Sequence, residues 1–104
     1  MKRTKSFHES LLQALKDPEE AAAYLNAVLK DGDSTLLLSA LKDVAEARGG
    51  MVQLARKTRM NRGNLYKMLS KRGSPAIQSV ETVLKAVGLR FSIIPETISH
   101  RRAA

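Results

Sequence analysis

Apolar residues recur along most of the chain at helical spacing, and they alternate with polar ones in a single stretch near the C-terminus. Phe7, Leu11, Leu12 and Leu15 share one face of a short helix. Asp17-Pro18-Glu19-Glu20 reads as a helix start, with Asp17 to cap, Pro18 for the first turn and two carboxylates beside the positive end of the helix dipole. That helix carries Ala22, Leu25, Val28 and Leu29 and ends at Gly32. Asp33 or Ser34 caps the next, whose apolar set is Leu36, Leu37, Ala40, Leu41, Val44 and Ala45, and Gly49-Gly50 stops it. From Met51 the helices shorten. Val52 to Lys57 forms one, and Asn61 caps another that runs through Leu65, Met68 and Leu69. Gly73-Ser74-Pro75 breaks the chain. Ile77, Val80, Val83, Leu84 and Val87 then form a last helical face, closed by Gly88. Leu89-Arg90-Phe91-Ser92-Ile93-Ile94 alternates apolar with polar before Pro95, the pattern of a half-buried strand.

The expected fold is therefore all-α: one compact domain of five to six helices over residues 7–96, with one short C-terminal β-strand. Residues 1–6 are expected to form a flexible basic arm and residues 97–104 a flexible tail, since neither carries a packing pattern. A lone strand cannot satisfy its own backbone groups. Two arrangements remain open. The strand, with Leu89, Phe91 and Ile93 as its dimer residues, pairs with its copy about a two-fold axis, or the segment packs as an extended piece over the helices.

Met51 to Leu69 has the spacing of two helices meeting at a tight turn of about three or four residues, a helix-turn-helix. Leu54, Ala55, Met60, Leu65 and Met68 are its inward positions, with the small Ala55 where the helices cross and Met60 plugging the turn. Arg59 occupies a turn position that favours glycine, so either the left-handed backbone is retained there at a cost of about 1 kcal/mol or the turn takes a slightly different form. Asn61, Arg62, Gly63, Tyr66 and Lys67 are then the outward residues. Arg62 suits guanine O6 and N7, and Asn61 or Asn64 suits adenine N6 and N7. Gly63 would let the helix approach a groove closely. Tyr66 and Lys67, with Gln53, Arg56, Lys57 and Lys71, suit phosphate oxygens. Each position also has a plainer use: a basic helix face is commonly just solvated, and Asn61 serves as a cap whatever the function.

Charge changes the picture by its distribution. The 104 residues carry a net charge of +8, which attracts nucleic acid, anionic membrane or acidic partners alike. Residues 7–47, however, hold eight carboxylates against three lysines, whereas residues 48–80 hold eight bases and no acid. A surface tuned for solubility alone would mix the signs, so two working surfaces are expected.

These stretches resemble the addiction-module antidote proteins, HigA-like antitoxins with an Xre/Cro-type, lambda-repressor-like helix-turn-helix. The resemblance spans residues 7–96 and rests on AAAYLNAVLKDGD (Ala21–Asp33), LLLSALKDVAEARGG (Leu36–Gly50), QLARKTRMNRGNLYKML (Gln53–Leu69) and SPAIQSVETVLKAVGLRFSI (Ser74–Ile93). It implies a type II antitoxin that neutralises a RelE/ParE-like toxin and, as a dimer, represses its own operator. It places DNA contacts on Gln53, Asn61, Arg62, Asn64, Tyr66 and Lys67. The acidic helices before Arg48 are the expected surface for a basic toxin. The alternative within the same chemistry is a stand-alone Xre-type transcription regulator without a toxin.

Enzymatic chemistry is not expected. His8 and His100 are the two histidines and lie near opposite ends, cysteine is absent, and no ligand cluster has metal spacing. Gly49-Gly50 lacks the Lys-Ser/Thr signature of a phosphate loop. Glu19 and Glu20 are adjacent, so they point about 100° apart on a helix and cannot act as a catalytic pair. No cofactor or metal is expected. No apolar run follows the basic N-terminus, and none approaches the ~20 residues of a membrane span, so a cytoplasmic protein without a membrane partner is expected.

Overall fold

The computed structural model describes residues 5–70 and 73–96. Among them are six helices and no strand: α1 (Lys5–Ala14), α2 (Pro18–Asp31), α3 (Ser34–Ala47), α4 (Gly50–Thr58), α5 (Arg62–Met68) and α6 (Ile77–Ala86). The all-α expectation holds. No helix among the described residues is long and apolar enough to cross a membrane. The expected arm and tail lie largely outside the described residues.

The helix starts follow the local chemistry. The Asp17 carboxylate accepts from the Glu19 amide at 3.0 Å, with Pro18 in the first turn, and Gly32 closes α2 in the left-handed conformation. Asp33 caps α3, accepting from the Thr35 amide and hydroxyl at 3.0 and 2.6 Å. Each carboxylate satisfies donors that a helix start otherwise leaves unpaired.

α3 is the central helix, packed against α1, α2 and α4, while α4 also meets α5 and α6. Their shared core is aliphatic: Leu15, Leu25, Leu41, Val44, Leu54, Leu65, Leu69 and Val83 are buried together. Two polar contacts brace the first half. The buried Asp43 accepts from the Tyr24 hydroxyl at 2.8 Å, joining α2 to α3, and His8 Nε2 lies 3.6 Å from a Glu46 carboxylate oxygen, joining α1 to α3.

Between α3 and α4 the structure departs from the spacing. α3 ends at Ala47, with Arg48 as its cap. Gly49 and Gly50 do more than stop it: at φ of 121° and 84° they reverse the chain, and α4 starts within the pair instead of at Val52. Arg48 is turned into the fold. Its guanidinium donates to the Val87 carbonyl and to the Lys16 carbonyl, both at 2.6 Å. One side chain thus ties the α1–α2 corner to the end of α6.

The C-terminal segment does not form a strand within the chain. Leu89 packs on the core and donates its amide to the Leu84 carbonyl at 2.8 Å, but residues 90–95 join no backbone ladder. Phe91 is 40% exposed and Ile93 96% exposed. The alternation marks a segment with an apolar side, yet no strand among the described residues pairs with it. Where it leaves α6 it roofs a cavity of about 100 Å³ lined by Leu25, Leu29, Leu37, Leu84, Leu89 and Phe91, among others.

Candidate nucleic-acid interface

The corner between α4 and α5 is built by its own turn residues. Thr58 directs its hydroxyl back to the Leu54 carbonyl at 2.8 Å and accepts from the Met60 amide at 3.2 Å. The amides of Arg59 and Met60 both turn to the Ala55 carbonyl. Arg59 sits at φ 61°, ψ 27°, the left-handed conformation expected of a turn position that favours glycine. Three residues, Arg59, Met60 and Asn61, therefore separate the helices. Ala55, Met60 and Met68 are half-buried against the core, and Leu54 and Leu65 are buried, as their spacing indicates.

Asn61 caps α5, its side-chain oxygen accepting from the Asn64 amide at 3.1 Å. Its carbonyl oxygen is thus committed to the helix start, and Asn64, exposed on the first turn, is the better placed of the two amides for a ligand. Gly63 has a matching role. A Cβ there would come within 3.0 Å of the Asn61 side-chain oxygen, so glycine makes room for the cap.

Leu65 holds the inner side of α5, and Leu69 follows it into the core at the helix end. The other side is exposed: Arg62, Gly63, Asn64, Tyr66 and Lys67. On the neighbouring α4, Gln53, Arg56 and Lys57 are exposed as well, and the Gln53 side chain lies against Gly49 at the helix start. Asn64 and Lys67 further share an open depression with Ser70, Ser74 and Ser79, three hydroxyls the sequence pattern does not single out. Lys71 lies outside the described residues. Leu89, Phe91 and Ile93 belong to the C-terminal segment, apart from this group in the chain.

No carboxylate occurs from residue 48 to residue 80, so the charges exposed on α4 and α5 add in sign. Such a surface attracts a polyanion and offers amide and guanidinium donors for base edges. Among the described residues no three His, Cys, Asp or Glu side chains converge as metal ligands would.

The family model for a probable addiction module antidote protein matches residues 4–95 of this sequence. The chain belongs to that family. An uncharacterized protein of Haemophilus influenzae (strain Rd) is 43% identical over 79 residues, which cover 76% of this chain and 80% of that relative. No solved structure matches the chain. An antidote implies a toxin as its counterpart, so membership brings a protein partner into view alongside the cationic surface.

Two residues of this antidote-family chain have roles that periodicity does not reveal. Arg48 counts among the eight bases of residues 48–80, yet it is spent on backbone carbonyls. Lys42 counts among the charges of the acidic stretch, yet its ammonium stands over the Tyr66 ring of α5, 5.3 Å from the ring centre. Their partners lie many residues away in sequence, so helical spacing carries no signal for either contact.

Proposed function

We propose that the chain is the DNA-binding antitoxin of a type II toxin–antitoxin module, neutralising a RelE/ParE-like toxin and repressing its own operon. On this reading α4 and α5 form an Xre/Cro-type helix-turn-helix, with α5 in the major groove. The observation that carries it is the outer side of α5, where Arg62, Asn64, Tyr66 and Lys67 are exposed on a short helix anchored from behind by Leu65. Arg62 reads guanine and Asn64 adenine. Gln53, Arg56, Lys57, Tyr66 and Lys67 hold phosphates and fix the register. The chemistry is recognition and needs no catalytic group or cofactor, in the cytoplasm where the operator lies.

The protein works as a homodimer on paired half-sites, joined through residues 89–94. Support comes from the exposure of Phe91 and Ile93 and from a backbone that finds no ladder partner among the described residues. Phe91→Asp then lowers the sedimenting mass from dimer to monomer at unchanged helix content; an unaltered mass places the dimer contact elsewhere.

The toxin is captured by the acidic helices. That surface is smaller than the carboxylate count suggests, because Asp17 and Asp33 cap helices, Asp43 is buried and Glu46 lies against His8. Glu9, Glu19, Glu20 and Asp31 remain as exposed acids for a basic partner.

A mobility-shift titration of the full chain on the duplex preceding its own gene tests the DNA half of the reading. A discrete complex that survives excess unrelated duplex is expected, and binding that unrelated duplex competes away equally contradicts specific recognition. Co-purification with the product of the adjacent gene tests the other half. Operator binding without any co-purifying partner would favour a stand-alone regulator.

A further inference from the structure

We propose that Lys42 belongs to the nucleic-acid interface, where its ammonium contacts a backbone phosphate beside Tyr66. The inference rests on the reading of α4 and α5 as the DNA-binding surface, and extends that surface onto α3.

On a helix the natural partner of Lys42 is Glu46, four residues on. Glu46 instead lies 3.6 Å from His8, and the adjacent Asp43 is buried against the Tyr24 hydroxyl. Among the described residues Lys42 has no carboxylate partner. Its ammonium is directed to α5, 5.3 Å from the centre of the Tyr66 ring. A ring face occupies one side of an ammonium and leaves its other donors open. Tyr66 itself is exposed on the outer side of α5. The half-buried stem of Lys42 and the ring together restrict the side chain, so less rotamer freedom is lost when a phosphate is bound. α3 thus delivers a positioned cation beside a stretch of chain, residues 48–80, that contains no acid.

A lysine–phosphate contact is independent of sequence and lowers affinity as salt rises. The test measures binding of the full chain between 50 and 200 mM salt to two duplexes, the one preceding its gene and a scrambled one. The variants are Lys42→Gln, Lys42→Met and Lys42→Arg. In both neutral variants the slope of log K against log salt should become shallower by about 1.8 on both duplexes, about 0.9 for each subunit of the dimer. Their loss of affinity should be roughly twelvefold greater at 50 mM than at 200 mM. Lys42→Arg should restore the wild-type slope. Slopes equal to wild type, a loss confined to the native duplex, or failure of arginine to rescue would overturn the proposal. So would unfolding of both neutral variants, which would make Lys42 a structural residue. If instead the wild-type chain binds neither duplex, the DNA-binding reading fails first and takes this inference with it.

Discussion

The two oppositely charged stretches use their charges differently. Before Arg48, half of the acids are built into the fold: Asp17 and Asp33 at helix starts, Asp43 against Tyr24, Glu46 against His8. After it, Arg56, Lys57, Arg62 and Lys67 stay exposed with no acid nearby in sequence, and among the described bases of this stretch Arg48 is the one folded inward. A charge already spent on the fold supports stability, whereas a charge left at the surface beside others of its sign costs some stability by repulsion and is available to a ligand. Much of the acidic stretch is therefore committed to structure, whereas much of the basic one is left available to a ligand.

That division predicts which measurement each substitution moves. Arg48→Ala should lower unfolding free energy by on the order of 3 kcal/mol, through loss of two charge-assisted hydrogen bonds, although its place in the sequence groups it with the binding residues. Chemical denaturation checks this, and an unchanged midpoint would return Arg48 to the surface group. Asp43→Ala should cost about 1–3 kcal/mol, because it strands the Tyr24 hydroxyl; restoration by the additional change Tyr24→Phe would confirm the pair. Arg62→Ala should leave the melting curve in place while weakening operator binding by about 1–3 kcal/mol. A shifted melting curve there would break the comparison. The smallest effect is expected at Arg59→Gly, which should stabilise the chain by about 1 kcal/mol by relieving the left-handed residue.

How far the sequence reveals this arrangement depends on the range of each interaction. Asp17, Pro18, Gly32 and Asn61 act on atoms within a few residues, so their caps are legible from spacing; at Arg59 the sequence marks a position that favours glycine but leaves two turn forms open, and the left-handed one is adopted. The exposed side of α5 follows from the periodicity that buries Leu65. The bonds from Arg48 cross 32 and 39 residues, and the contact of Lys42 with Tyr66 joins two helices. Periodicity reports a face but not what meets it. The alternation from Leu89 to Ile94 shows the same limit: it identifies an apolar side, and no strand among the described residues lies opposite.

The account stands or falls on which surface meets DNA. The direct measurement is a map of backbone amide shifts as the duplex preceding the gene is added to the full chain. Changes concentrated at residues 53–57 and 62–67, with Lys42 joining them, are the predicted result. Changes concentrated on α1 and α2, with α5 undisturbed, would contradict it.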